Sequence, residues 1–180
     1  MFARLSLRQS VIRNAIRALA FLGAMHAMAI AAGTQAQARD TSLDVYQPGT
    51  IVVKTGERKL YLVLGNGQTI SYPIAVGKSG KTWTGVKYID GKYLKPAWSP
   101  PLEIKLDKPG IPDVIPAGSP ENPMGAAAMT LNDSEYAIHG TNNPGSIGTP
   151  ASYGCIRMYN RDILDLYSRV DVGTMVVVLK

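Results

Sequence analysis

Short apolar runs from residue 49 onward constrain the fold more than any other feature of the chain. Residues 50–54 and 59–64 are dominated by Val, Ile, Leu and Tyr, and in 69–76 large apolar residues alternate with polar or small ones. Asn66-Gly67 separates the second run from the third, and this dipeptide is typical of a two-residue hairpin turn. The pattern predicts an antiparallel meander that buries one face.

Further strands are expected downstream. Residues 86–98 predict a second hairpin whose turn is Asp90-Gly91, and turn residues join two short apolar runs at 125–131 and 136–140. Residues 174–179 are apolar on both faces, which predicts a strand in the middle of a sheet. The sequence therefore predicts a single, mainly β domain, either a sandwich or a barrel.

One helix is expected, and it begins near residue 160. Asn160 is placed to cap it, and Asp162 falls in the first turn, where a negative charge is favourable. Apolar residues then recur at i, i+3, i+4 and i+7, which predicts one apolar stripe made of Ile163, Leu166, Tyr167 and Val170.

The segment 96–123 is rich in proline, which argues against regular helix and central strand. Two interpretations are open. One is a low-complexity linker. The other, which the interspersed Leu, Ile and Val residues favour, is an ordered loop packed on the rim of the barrel or sandwich.

Residues 1–38 have the order of regions that is typical of a secretory signal peptide. Residues 1–17 carry four arginines and no acidic residue, 18–33 are an apolar run, and Ala36-Gln37-Ala38 is a small-x-small cleavage site. The apolar run is shorter than the ~20 residues of a membrane-spanning helix, so an uncleaved anchor is the weaker alternative. We expect export, cleavage after Ala38, a flexible arm over 39–48 and one domain over 49–180.

The signal peptide also accounts for most of the positive charge. The whole chain has 19 Lys and Arg against 13 Asp and Glu, a net charge of +6, and four of the arginines lie in the predicted signal. Cleavage would leave +2 with dispersed basic residues. No nucleic-acid partner is expected, because this distribution contains nothing like a phosphate-binding patch.

The chain has a single cysteine, Cys155, and a single histidine, His139, once His26 leaves with the signal peptide. Cys155 has no partner for an internal disulfide in an oxidising compartment. A small buried thiol is one interpretation. The Gly-rich setting of both residues favours a cysteine nucleophile with an imidazole base. No acidic residue follows His139 within five positions, so a backbone carbonyl such as that of Gly140 would orient the imidazole.

The residues around this pair resemble the signature of the L,D-transpeptidase (YkuD) family. The matching strings are HGT at 139–141, PGSIG at 144–148 and SYGCIRM at 152–158, followed by Asn160 and Asp162. The likeness extends to TG at 84–85, WSPP at 98–101, NPMG at 122–125 and the stretch 166–178. It covers most of residues 50–179, and it implies the mainly β catalytic fold of that family, a sandwich or barrel with one helix after the cysteine motif.

The resemblance implies a role for each matching residue. Cys155 would be the nucleophile, His139 the general base and then acid, and Gly140 the carbonyl that orients the imidazole. Arg157 would pair with a substrate carboxylate, although an ion pair that supports the following helix is the alternative. Backbone N–H groups of Tyr153, Gly154 and Cys155 would form an oxyanion hole, and Ser146 and Ser152 would shape the loop.

One residue departs from the family pattern. Many members have a second histidine two residues before the cysteine, and this chain has Tyr153 there. Any role of that histidine in proton transfer or oxyanion support must be absent or taken by the phenol. Because the base assignment falls on His139, we expect the difference to tune the reaction without abolishing it.

The resemblance implies a periplasmic enzyme of peptidoglycan biosynthesis. Its substrates would be tetrapeptide stems, from which it releases D-alanine before passing the acyl group to another stem, to an outer-membrane protein or lipoprotein, or to water. The family is also acylated by carbapenems. A non-catalytic wall-binding module is the alternative of another class. No cofactor is implied, and no metal site is expected, because one Cys and one His cannot supply three protein ligands.

Overall fold

The computed structural model describes residues 43–180, so the predicted signal peptide and residues 39–42 lie outside the described residues. Its strands are β1 (Ile51–Lys54), β2 (Lys59–Gly65), β3 (Gln68–Gly77), β4 (Gly85–Leu94), β5 (Ala127–Leu131), β6 (Ala137–His139), β7 (Pro150–Ser152), β8 (Ile156–Met158) and β9 (Met175–Leu179). Its helices are α1 (Leu102–Asp107) and α2 (Asn160–Arg169), with a 3₁₀ turn at Pro144–Ser146. Within residues 43–180, no helix has the length and apolar character needed to cross a membrane.

Eight of the strands close into a mixed barrel. Their order is β2-β1-β9-β4-β5-β6-β8-β3, and the pairing of β3 with β2 closes the ring, while β7 adds to β3 as an extra strand. The strand β9 lies parallel to β1 and antiparallel to β4, with Val176, Val177 and Val178 all buried. The predictions of a mainly β fold and of a central last strand are confirmed, and of the two architectures the barrel is the one that forms.

The hairpin between β2 and β3 forms as the sequence predicts. The strands are antiparallel, and Asn66 and Gly67 at the turn have φ of 53° and 71°. Both positive values are those of a type I′ turn, whose twist matches that of the flanking strands.

The prediction of a second hairpin at Asp90-Gly91 is wrong. The strand β4 runs through this dipeptide, pairing with β9 up to Tyr88 and with β5 from Ile89 onward, and the register shifts between Ile89 and Gly91. The extra residue forms a β-bulge, which bends one strand from its first partner to its second. A Cβ on residue 91 would lie 2.6 Å from the Tyr93 hydroxyl oxygen and 2.8 Å from Thr130 Oγ1, so a larger residue here would have to displace both side chains.

The proline-rich segment 96–123 is an ordered loop, in agreement with the favoured interpretation. Trp98 and Ile115 exchange two backbone hydrogen bonds of 2.9 and 2.8 Å, and the buried Asn122 side chain donates to the Pro96 carbonyl at 2.8 Å. The expectation that this segment lacks helix is wrong, because α1 forms directly after Pro101 in a stretch without proline. Proline is tolerated at a helix start, where its missing N–H costs no hydrogen bond.

The structure differs from the predicted flexible arm in its last residues. Leu43 is 1% exposed and packs against Val52, Tyr61 and Val63 on the outer face of β1 and β2. Burial of an apolar side chain of this size contributes about 2 kcal/mol to the attachment of this segment to the sheet.

The helix α2 packs on the barrel through the predicted stripe. Ile163 and Leu166 are fully buried, and the Tyr72 hydroxyl donates to Asp165 Oδ2 at 2.6 Å across the interface. The predicted capping role of Asn160 is wrong. Tyr159 occupies the cap position without a side-chain bond, and Asn160 is the first residue of the helix.

Candidate active site

Two short parallel strands bring the three predicted chemical groups together. In β6 and β8, Ile138 lies opposite Ile156 and His139 opposite Arg157. Both isoleucines are buried in the core. Because side chains alternate along a strand, His139 and Arg157 lie on the other face, and Cys155 lies there too, two residues before Arg157. Cys155 and His139 are 16 positions apart in the sequence, and the pairing of β6 with β8 brings them together in space.

His139 is a neutral base in the resting structure. Its side chain is 2% exposed, and Nδ1 lies 2.7 Å from the Gly140 carbonyl. That carbonyl can only accept, so Nδ1 carries the proton and Nε2 keeps its lone pair. Burial lowers the pKa of His139 to about 4, helped by the positive charge of Arg157 and opposed by the carbonyls of Gly140 and Pro123.

Cys155 is a protonated thiol in the same state. Burial raises its pKa, while the backbone N–H of Ala137 and the charge of Arg157 act in the opposite direction. Among residues 43–180, no hydrogen bond joins the Cys155 sulfur to His139. A thiol and a neutral imidazole are therefore ready to exchange a proton when a substrate excludes water, because such contacts often tighten only in the complex.

Arg157 is a cation without an anionic partner in the described part of the chain. No carboxylate of residues 43–180 lies within ion-pair distance of it, and its buried Nε has no hydrogen-bond acceptor. Burial lowers its pKa, which shows that the charge is held at a cost. The alternative interpretation, an ion pair that supports the following helix, finds no acidic partner.

The loop before Cys155 is tied by one hydroxyl. Ser152 Oγ donates to the Cys155 carbonyl at 2.6 Å and accepts the Gly154 N–H at 3.1 Å. Of the backbone donors expected to form an oxyanion hole, that of Gly154 is thus already engaged. The Cys155 N–H has no hydrogen-bond partner among residues 43–180. Ser146 bonds within its own loop, to the Asn143 carbonyl at 2.7 Å, and none of its hydrogen bonds reaches Cys155.

Two aromatic residues that the sequence interpretation missed support this loop. The Trp83 indole N–H donates to the Gly154 carbonyl at 2.9 Å, and the Tyr136 ring stacks on the indole with centroids 5.3 Å apart. Trp83 stands directly before the TG of residues 84–85, but nothing local distinguishes it from a core tryptophan. Its role depends on a contact across 71 positions.

Asn160 holds the backbone beyond the histidine. Its Oδ1 accepts hydrogen bonds from Thr141 N–H and Ala126 N–H, each at 3.0 Å. A Cβ on Gly140 would lie 2.3 Å from the same oxygen, so glycine is required where the carbonyl must face the imidazole. Beside Asn160, an open groove of about 600 Å³ is lined by Thr141, Asn142, Pro144, Tyr159, Asn160 and Arg161.

Tyr153 is directed towards α1 and away from proton transfer. Its hydroxyl donates to Asp107 Oδ2 at 2.5 Å, and the Lys78 ammonium lies 3.6 Å from its ring centroid. Lys78 also pairs with Asp107 at 3.4 Å. These three side chains, the α1 latch, join the proline-rich segment to the loop before Cys155. In residues 43–180, no group of three or more His, Cys, Asp and Glu side chains is arranged to hold a metal ion.

Comparison with known sequences agrees with this geometry. The family profile of the L,D-transpeptidase catalytic domain, YkuD, matches residues 48–178. "Probable L,D-transpeptidase YbiS" of Escherichia coli (strain K12) is 38% identical over 135 residues, which are 70% of this chain and 43% of that protein. YkuD of Bacillus subtilis (strain 168) is 38% identical over 132 residues, 73% of this chain and 66% of that protein. The chain therefore spans less than half the length of its Escherichia coli relative.

Solved structures share the fold at lower identity. An L,D-transpeptidase from Mycobacterium tuberculosis H37Rv superposes with a TM-score of 0.56 at 16% identity, covering 73% of this chain and 57% of that one. The L,D-transpeptidase LdtMt1 in complex with imipenem gives 0.53 at 19% identity, covering 72% and 58%.

Proposed function

The chain belongs to the L,D-transpeptidase (YkuD) family of catalytic domains, and on this premise we propose that it is a cysteine-dependent acyltransferase of peptidoglycan. The observation that carries the proposal is the shared face of β6 and β8. There a thiol, a neutral imidazole and an unpaired guanidinium lie together. A nucleophile, a base and an anion-binding group are what attack on a peptide carbonyl near a free carboxylate requires.

The first step is attack by Cys155 on the carbonyl of the third residue of a tetrapeptide stem. Nε2 of His139 takes the thiol proton as the sulfur bonds to the carbonyl carbon. The Gly140 carbonyl holds Nδ1–H and stabilises the imidazolium that forms. The tetrahedral intermediate then expels the amine of D-alanine, which takes the same proton from His139, and the acyl group remains on Cys155 as a thioester.

Arg157 would bind a carboxylate of the stem. The guanidinium is half-buried without an acidic partner among the described residues, and a substrate carboxylate would supply that partner through two parallel hydrogen bonds. Its charge also favours the thiolate over the thiol, since it opposes the effect of burial on the pKa of Cys155.

The acyl acceptor decides the product. A side-chain amine of a second stem gives a 3→3 cross-link, an amine on an outer-membrane protein or lipoprotein gives covalent anchoring, and water gives L,D-carboxypeptidase activity. We propose amine transfer as the main activity, with the carboxypeptidase as the alternative. Export through the signal of residues 1–38 to the periplasm is part of the same proposal, because the substrate lies outside the cytoplasm.

Release of D-alanine tests the proposal. Purified protein is incubated with tetrapeptide muropeptides, with and without candidate amine acceptors, and the products are identified by mass. We expect release by the wild type and none by Cys155→Ala. Release by neither protein would overturn the proposal and favour a non-catalytic wall-binding module. Incubation with imipenem should give a mass adduct that maps to Cys155, and an adduct elsewhere would contradict the nucleophile assignment.

A further inference from the structure

The peptide bond that leads into the nucleophile is fixed from outside its own loop. The Gly154 carbonyl accepts the indole N–H of Trp83 at 2.9 Å, from the connection between β3 and β4. Within the loop, Ser152 binds the Gly154 N–H and the Cys155 carbonyl. Every polar backbone group from the Gly154 N–H to the Cys155 carbonyl therefore has a partner except the Cys155 N–H, within residues 43–180.

Peptide geometry determines where that N–H points. A trans peptide places its carbonyl and its N–H on opposite sides, and residues 43–180 contain no cis peptide. Because the Gly154 carbonyl points at Trp83, the Cys155 N–H points away from the indole. Rotation of this peptide would carry the N–H away with it and would break the bond to Trp83.

A second aromatic ring keeps the indole in place. Tyr136 stacks on Trp83 at an interplanar angle of 11°, and the same ring covers Gly154, where an added Cβ would lie 2.3 Å from Tyr136 Cε1. Gly154 also has φ of 123°, a conformation that residues with a side chain rarely adopt. Trp83, Tyr136 and Gly154 thus form one packed unit behind the nucleophile.

We propose that Trp83 is a positioning residue for oxyanion stabilisation, an inference that rests on the proposed acyl transfer. When the sulfur bonds to the carbonyl carbon, the π electrons of the carbonyl move onto its oxygen, and the Cys155 N–H donates to that oxyanion. Collapse restores the carbonyl and expels the amine, which receives the proton held by His139. Trp83 contacts no reacting atom. It holds the donor in position before charge develops, which is when preorganisation is most effective.

Two reactions of the same sulfur separate this role from a general structural one. Acylation by imipenem passes through an oxyanion, whereas alkylation by iodoacetamide displaces iodide and forms none. Trp83→Phe keeps an aromatic ring on Tyr136 and removes the N–H. Trp98→Phe makes the same change at the other tryptophan, whose indole N–H has no hydrogen bond in the described structure. Both rate constants are measured for wild type and both variants, with the pH profile of alkylation.

We expect Trp83→Phe to lower the acylation rate constant by about 30-fold, less than the loss of a whole oxyanion donor. Its alkylation rate and pH profile should stay within twofold of wild type, and Trp98→Phe should match wild type in both reactions. Unchanged acylation in Trp83→Phe, or an equal fall in both reactions, would overturn the inference. A wild type that is alkylated but never acylated would instead overturn the proposed function, and this inference with it.

Discussion

The side-chain oxygen of Asn160 lies 3.0 Å from the backbone nitrogen of Thr141, and this bond ties the start of α2 to the chain just beyond His139. The same oxygen also accepts the Ala126 N–H at 3.0 Å. One side-chain oxygen therefore holds two backbone segments close to Gly140, one at Ala126 and one at Thr141. The fold thereby fixes the carbonyl that selects the tautomer of His139.

Asn160→Ala should destabilise the protein by about 1–2 kcal/mol, because two backbone N–H groups lose their acceptor. Chemical denaturation measures the change. Asn142→Ala is the matched control, since the Asn142 side chain makes a single exposed hydrogen bond to the Pro120 carbonyl. Equal stability of the two variants would show that the Asn160 bonds do not support the site.

Gly140→Ala should be more damaging than a glycine replacement elsewhere in the same loop. The added Cβ would lie 2.3 Å from Asn160 Oδ1 and 2.9 Å from Ala126 N, and backbone cannot give way cheaply. A loss of about 2–4 kcal/mol is expected, as for other overpacked sites. Gly145→Ala is the control, because its nearest neighbour, Asn143 Oδ1, is 3.6 Å away. The two midpoints of unfolding should differ clearly, and a Gly140→Ala midpoint equal to that of Gly145→Ala would contradict the packing argument.

The stability of the fold should depend on pH through His139. Its pKa is about 4 in the folded protein against 6.5 as the ordinary value. Between these values the unfolded chain binds more protons, so stability falls as pH drops from 6.5 to 4, by about 3 kcal/mol in total. Unfolding curves of wild type and His139→Gln over this range test the origin of the effect. The variant should lose this dependence, whereas the carboxylates with lowered pKa, Asp107, Asp113 and Asp165, contribute only from about pH 5 downward and do so in both proteins. An equal pH dependence in both proteins would be incompatible with a buried neutral imidazole.

Acylation of Cys155 should persist to lower pH than an ordinary histidine base allows. The acid limb of the rate profile reports the pKa of the base in the free enzyme, which is near 4 for His139. Arg157→Gln removes a charge that lowers the pKa of His139, so the limb should move to higher pH. The same change should cost about tenfold or more in rate with a substrate that has a free carboxylate. An acid limb near 6.5 in wild type, or one unmoved by Arg157→Gln, would contradict the assigned geometry.

The attachment of α1 to the barrel should depend on individual polar groups, such as a single hydroxyl. No residue of α1 is fully buried, and its polar links to the barrel are the α1 latch and the ion pair of Lys81 with Glu103. Tyr153→Phe removes the bond to Asp107, and hydrogen exchange in 102–107 should then accelerate. Ser119→Ala, a change to a turn in the same loop, should leave that exchange unchanged.

The latch should also weaken at low pH, because the pKa of Asp107 is lowered by its bonds to Tyr153 and Lys78 and stability is lost as pH falls through it. Exchange unaffected by Tyr153→Phe would show that α1 is held by other contacts.

The local sequence pattern was sufficient to predict the elements that depend only on interactions between neighbouring residues. The Asn66-Gly67 turn, the apolar stripe of α2 and the central strand β9 depend on φ preferences and on the period of apolar residues. Asp90-Gly91 carries the same turn chemistry as a hairpin, yet it forms a bulge. Whether this dipeptide forms a turn or a bulge depends on which strands pair with the residues before and after it. The local sequence does not encode that pairing.

Cys155 and His139 lie in glycine-rich segments with the family signature around them, and both facts can be read directly from the chain. The parallel pairing of β6 with β8, which places Cys155, His139 and Arg157 on one face, is a property of the folded barrel. The same holds for three further contacts: Tyr153 with Asp107, Asn160 with the backbone beyond His139, and Trp83 with Gly154. Each of these contacts joins residues from 19 to 71 positions apart. Partners at such separations are selected by the closure of the barrel, and side-chain type and local spacing do not specify them.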